Sequence, residues 1–281
     1  MARAFTHREF KLLMKPERFP TKSSVYDFNA RLSKIANKLG VDYEPFDAVQ
    51  SQARQVQFFD TADNAFRRNR VILRLRRDRT GGWPDETWEV TLKRRSPDFD
   101  EAADFDVNTS MTGLTEKIKF KEEILRGDEP GTIQRIFSHN LCAQYPVVQF
   151  EHPISRIVEV FPGLKVFDFD PQAMVSSVHD ANVFEIQANL GNFRFSKGVV
   201  SDCGLAVWVR PVPDSFDVLC AEFGFAYKVG GNDDKHQKGH DASDQFFKGI
   251  QTPLKDYLAE GSTKTAKIYG EEETTRVPVG R

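Results

Sequence analysis

The sequence predicts an all-β-dominated fold of the α+β kind, and three observations carry that prediction. Strand-like segments recur through both halves of the chain. Two neighbouring segments, Val71 to Arg76 and Thr87 to Lys93, alternate basic or polar residues with apolar ones at the period of two that a strand imposes. Long runs of helical spacing are confined to two stretches, one near each end.

Taken in order, Arg8 to Met14 is a first strand, after which Pro16 and Pro20 break the chain. Thr21 or Ser23 then caps a helix in which Val25, Phe28, Leu32, Ile35 and Leu39 share a face and Gly40 supplies the stop. Strands follow at Gln55 to Phe59, Val71 to Arg76 and Thr87 to Lys93, the last two parted by a Gly81-Gly82 turn. Pro97 to Thr115 is polar and is expected as a surface loop. Lys117 to Leu125 is the next strand, and a short helix is expected near Thr132 to Leu141. Further strands are expected at Val147 to Glu151, Val158 to Val160, Lys165 to Phe169, Val183 to Phe195, Leu205 to Arg210 and Cys220 to Val229. Phe246, Phe247, Ile250, Leu254 and Leu258 mark a closing helix over Asp241 to Leu258. With no internal repeat and no interior low-complexity linker, residues 1–270 are expected to form one domain and 271–281 a flexible tail.

Composition narrows the function classes. Apolar residues at 40% and charged residues at 28% are ordinary for a globular protein, and the 24 Phe against 6 Tyr and 3 Trp predict a Phe-rich core. Lys plus Arg (39) nearly balance Asp plus Glu (41), so no global field would collect nucleic acid or an anionic membrane, and any anion site must be local. Cys142, Cys203 and Cys220 are far apart, lack metal-ligand spacing and cannot all pair, which predicts a reducing compartment. No apolar run has the length of a membrane span, and Met1 to Pro20 is charged throughout, so a soluble, cytoplasmic protein is expected.

Candidate chemistry starts from Arg74, Arg76 and Lys93, which alternation puts on one face of one sheet. A solvated outer face would explain the two arginines equally well. Their order and company add to the pattern. Phe58-Phe59-Asp60-Thr61, followed by Leu73-Arg74-Leu75-Arg76 and then by Val90-Thr91-Leu92-Lys93, resembles the CYTH or triphosphate-tunnel superfamily, and Arg8-Glu9-Phe10-Lys11 resembles its Glu-x-Glu-x-Lys signature with His7 in the first Glu position. The likeness is dense over the first third of the chain and loose beyond Arg95.

The resemblance implies a closed eight-stranded antiparallel barrel with peripheral helices, whose lumen binds a triphosphate through Arg and Lys and one or two divalent ions through Glu. Carried over residue by residue, Lys11, Arg74, Arg76, Lys93 and Lys119 contact phosphate, and Glu9 with Lys11 carries the catalytic role. Glu9, Glu123, Glu222 and His7 are the candidate ligands of Mg²⁺ or Mn²⁺. Arg194, Arg210, Lys228 and Lys264 are additional cations with no motif behind them, of which Arg194 is taken as a substrate contact. The chain departs from the family pattern at His7, Lys121, Arg210, Gly224 and Ala226, each of which replaces an acid.

Two function classes follow. One is a metal-dependent hydrolase of inorganic triphosphate, thiamine triphosphate or a nucleoside triphosphate, with a class IV adenylate cyclase ranked below it. The other is a non-catalytic binder of polyphosphate or another polyanion that kept its cations and lost its metal-binding acids. A structural module with no triphosphate binding is the third reading. No Gly-rich phosphate loop, paired-Cys site or Ser-His-Asp motif competes.

Overall fold

The computed structural model describes residues 4–111, 115–178, 183–196, 198–212, 215–230, 234–261 and 263–270. The expected tail at 271–281 lies outside them. Eleven strands form one sheet: β1 (His7–Met14), β2 (Asp42–Thr61), β3 (Val71–Thr80), β4 (Trp83–Pro84), β5 (Trp88–Ser96), β6 (Glu116–Arg126), β7 (Ile133–Tyr145), β8 (Val175–Ser177), β9 (Val183–Ser196), β10 (Val199–Val212) and β11 (Ser215–Lys228). Six helices accompany them: α1 (Lys22–Lys38), α2 (Ala65–Arg68), α3 (Phe99–Asp104), α4 (Ile154–Val160), α5 (Asp234–Gln251) and α6 (Lys264–Ile268).

The pairing order is β4-β3-β5-β7-β6-β1-β11-β10-β9-β2-β8, and β3 also pairs with β2. Strand β2 is long enough to serve two neighbours: Asp42 to Val56 face β9 while Ala53 to Phe59 face β3. The ladder therefore returns on itself through nine strands, with β4 and β8 as short appendages. Nine strands rather than eight make this circuit, and one of its pairings, β1 with β6, is parallel where an all-antiparallel arrangement was expected.

Alternation divides every strand between an inner and an outer face. Outer residues of β1, β9, β10 and β11, among them Phe10, Leu205, Phe223 and Phe225, pack under Phe28 and Leu32 of α1 and Phe246, Phe247 and Ile250 of α5. Outer residues of β3, β5 and β7, including Leu73, Leu75, Leu92 and Leu141, pack under Ile154, Ile157 and Phe161 of the segment around α4. The abundant Phe is accordingly core, as its excess predicts.

Several segments differ from expectation. Thr132 to Leu141 belongs to strand β7, whose alternation of Asn140 and Cys142 against Leu141 and Ala143 is that of a wall between a polar interior and an apolar exterior. Val158 to Val160 lies in helix α4, where Ile154, Ile157 and Phe161 supply helical spacing that overrides β-branched propensity. Residues 147–151 lie outside any strand, and Lys165 falls in a 3₁₀ turn over Pro162–Val166. Within the Pro97 to Thr115 stretch, of which 112–114 lie outside the described residues, α3 forms and Ala102, Phe105 and Val107 are buried, so residues 99–107 are packed rather than a surface loop.

The Phe59-Asp60-Thr61 turn has a structural job. Asp60 Oδ1 accepts from the amides of Thr61 (2.8 Å) and Phe66 (2.8 Å), and Oδ2 accepts from the Arg67 amide (2.9 Å) and the Tyr269 hydroxyl (3.1 Å). One carboxylate thus satisfies orphan donors at the start of α2 and ties down the end of α6. There Ile268 and Tyr269 pack with Leu13, Phe58, Ile72 and Trp208, which seals one end of the strand circuit with apolar side chains.

Candidate anion site

Inside the circuit lies a cavity of about 380 Å³, a size ordinary for a small-molecule site. Its lining is basic. Lys11 comes from β1, Arg54 from β2, Arg74 and Arg76 from β3, Lys93 and Arg95 from β5, Lys119 and Lys121 from β6, and Lys264 from α6. Four acids share the lining, Glu9, Glu89, Asp202 and Glu222, and Glu123 and Glu185 stand fully buried behind it. Nine cations thus face four acids, or six when the two buried ones are included.

The cations are fixed by neighbours on adjacent strands. Lys11 Nζ lies 3.1 Å from Glu9 Oε2 and 3.2 Å from Glu123 Oε2, so one ammonium bridges two carboxylates. Glu9 Oε2 also accepts from Lys121 Nζ at 3.1 Å. Glu123 accepts from Lys93 and from Ser138 Oγ (2.7 Å), and Arg95 reaches it at 3.1 Å. On the opposite side of the cavity floor, Glu185 is held by Arg54, the Trp208 indole and Lys264 (2.9 Å), and Lys264 also reaches Glu222 at 3.3 Å.

These surroundings move the ionisation of the groups. Burial opposes the charge on Glu123, but Arg95, Lys11 and Lys93 outweigh it and hold the carboxyl well below its usual range. Burial likewise opposes charge on Glu9, and Lys11 and Lys121 hold its carboxyl low. For Lys11 burial is overcome by Glu123 and Glu9, so its ammonium is held above the ordinary value. Lys93 goes the other way: burial, joined by the nearby Arg95, pushes it well below the ordinary lysine range. Arg74 is pushed down to about 9 by burial and the adjacent Arg76.

Three guanidiniums of the lining retain unused donors. Arg74 reaches Thr91 Oγ1 (3.1 Å) and Arg76 stands 3.6 Å from Glu89, yet the Nε of each is buried without a hydrogen-bond partner, as is Nε of Arg95. Buried donors left unsatisfied are costly, and an anion in the cavity would relieve them. Rigid guanidinium forks and mobile ammoniums together match the oxygens of a phosphate chain.

Of the residues singled out from sequence, Glu9, Lys11, Arg74, Arg76, Lys93, Lys119 and Glu222 all line this cavity. Arg194 does not. It pairs with Val200, two residues beyond the lining Asp202 on β10, and its side chain is 52% exposed beside Asp42. Arg210 is exposed against Asp217, and Lys228 is exposed at the end of β11. Lys264, which had no motif behind it, is in the lining. Arg54, Arg95 and Glu185 were not singled out at all, and Arg95 alone carried a legible signal, since it continues the alternation of Thr91 and Lys93.

The expected divalent-metal set is not assembled. Among the described residues no three His, Cys, Asp or Glu side chains stand together as an ion site. Glu123 is enclosed by three cations instead of facing an open coordination position. His7 is hydrogen-bonded to Thr6 (2.8 Å), and burial together with Lys119, Lys121 and Lys228 lowers its pKa. Across from Glu9 and Lys11 on β11 stand Ala226 and Gly224, while Glu222 faces Leu13. At about 3.3 Å per residue, Glu222 is therefore roughly 13 Å along the strand from the position opposite Glu9.

Solved structures similar to the chain share little sequence identity with it. HpAC1 from Hippeastrum, described as an adenylyl cyclase candidate with a dominant triphosphatase activity, is 13% identical, with 94% of this chain and 95% of that one covered and a TM-score of 0.43. An adenylate cyclase candidate from Bacillus halodurans is 10% identical over 92% of this chain and 95% of its own (TM-score 0.37). The PH1819 protein from Pyrococcus horikoshii is 10% identical over 86% and 89% (TM-score 0.30). At TM-scores below 0.5 these likenesses add no weight to the strand order and cavity geometry. No family model matches the chain, and no curated protein matches it. Among the described residues no helix is long and apolar enough to cross a membrane.

Proposed function

We propose that the protein takes a phosphate chain, either inorganic triphosphate or the triphosphate group of a larger small molecule, into the basic cavity. The single observation that carries this reading is the excess of nine inward cations over four acids in an enclosed space, with guanidinium Nε atoms left without partners. A single phosphate would use few of these groups, whereas a chain of three can spread its charge over Arg74, Arg76, Lys93, Lys119 and Lys121 from three strands. The test is thermal unfolding with sodium sulfate, pyrophosphate or tripolyphosphate. Tripolyphosphate should raise Tm the most and sulfate the least, and the rise should shrink in Arg74→Ala. Equal shifts for all three anions, or none, would remove the reading.

Hydrolysis of the terminal phosphate anhydride is the second reading, favoured by Glu9 and Lys11 standing together at the cavity wall. Phosphate released from tripolyphosphate, thiamine triphosphate or ATP, and lost in Glu9→Gln, would establish it. Binding without release would leave the protein as a phosphate-chain receptor.

A further inference from the structure

We infer that the cavity takes its phosphate chain as the free anion and not as the complex with a divalent cation, because the Lys11 ammonium already bridges Glu9 and Glu123, where an ion joining those two carboxylates would stand. This rests on the reading of the cavity as a phosphate-chain site.

The register makes the two carboxylates neighbours: β1 and β6 run parallel with Glu9 beside Glu123. Such a pair repels unless a cation lies between, and Lys11 supplies it at 3.1 and 3.2 Å. Lys121 also holds Glu9, and Lys93, Arg95 and Ser138 also hold Glu123. A hard ion needs several oxygens within about 2.0–2.6 Å of one point. It would have to displace cations that are covalently tethered to the wall.

The adjacent strand β11 offers no replacement ligands beside Glu9 and Lys11. Gly224 lies opposite Lys11, and a Cβ there would meet the Phe10 carbonyl oxygen at 2.8 Å, so β1 and β11 pack too closely at this point to accept an acid without shifting. Ala226 opposite Glu9 carries no donor. Glu222, two residues along β11 from Gly224, is held by Lys264. A site whose positive charge is built in gains nothing from an ion that arrives with the ligand. The ion would cancel two of the negative charges the lysines and arginines attract.

Magnesium should therefore compete with the protein for the chain. Calorimetric titration of the full chain with sodium tripolyphosphate, once in chelator and once with excess Mg²⁺, should give affinity at least roughly tenfold weaker with the ion. Glu9→Gln should tighten binding in chelator by roughly threefold, because it removes a competing carboxylate and frees Lys11 and Lys121 for the ligand. Equal or tighter binding with Mg²⁺ or Mn²⁺, or weaker binding by Glu9→Gln in chelator, would overturn the inference and leave the phosphate-chain reading standing. Absence of binding in both buffers would remove that reading and the inference with it.

Discussion

The two sides of the cavity are built from the same kind of strand and opposite kinds of residue. On β1, β3, β5 and β6 the inward positions carry long basic side chains: Lys11, Arg74, Arg76, Lys93, Arg95, Lys119 and Lys121. On β10 and β11 the middle inward positions are Gly204, Ala206, Gly224 and Ala226, with Gly204 paired directly against Gly224, and acids stand only to either side of them, at Asp202 and Glu222. One group of strands therefore brings charge and the other brings room. The bare wall is also where the resemblance to the tunnel superfamily places metal-binding acids. The small residues there leave the interior with more cations than acids.

If the charged wall carries binding, reversing one of its buried charges has the largest effect. Arg74→Glu removes a fork and places a carboxylate beside the ligand, and calorimetry should show tripolyphosphate affinity falling by about a hundredfold or more. A charged cluster on the outer face supplies the contrast. There Arg8 donates to Glu122 (2.6 Å), Asp244 (2.9 Å) and Tyr227 (3.1 Å), and Arg135 pairs with Glu122 and Asp244, so two cations meet two acids and bind α5 to the sheet. Glu122→Ala removes one partner of the buried Arg8, which keeps Asp244 and Tyr227, and should cost about 2 kcal/mol of stability by denaturant unfolding. Affinity measured on the folded fraction should be unchanged.

Acidity separates the walls next. Lys93 is charged only below its depressed pKa, so affinity for tripolyphosphate should decline with rising pH, by up to about tenfold, before the ordinary lysine range near 10.4 is reached. Lys93→Arg should abolish that decline, since a guanidinium stays charged there. The smallest effect belongs to Arg194→Ala, because that residue lies past the rim with an exposed partner. Its affinity should match wild type within about 0.5 kcal/mol.

Alternation made much of the charged wall legible. Arg74, Arg76 and Lys93 alternate with Leu73, Leu75, Val90 and Leu92, and that contrast survives in any context where one face is core. Arg54 was hidden because the stretch before it in β2 is polar and largely exposed, so no period shows. Lys264 was hidden for a different reason: it reaches the cavity from a five-residue helix whose placement depends on Tyr269 meeting Asp60 across the molecule. Arg194 misled because alternation gives a residue's face but not where the strand leaves the cavity. The ion pairs of Lys11, Lys93 and Arg95 on Glu123 depend on three-strand register, which pairwise motif spacing cannot encode.

Helix α6 gives the cavity a floor. With Ile268 and Tyr269 packed against Leu13, Phe58 and Ile72, and Lys264 of the same helix in the lining, the space has a stop at that end. Such a tube is a ruler. A short chain can sink to Lys264, whereas a long one must leave its excess outside, so each added phosphate beyond the depth of the tube contributes progressively less to affinity.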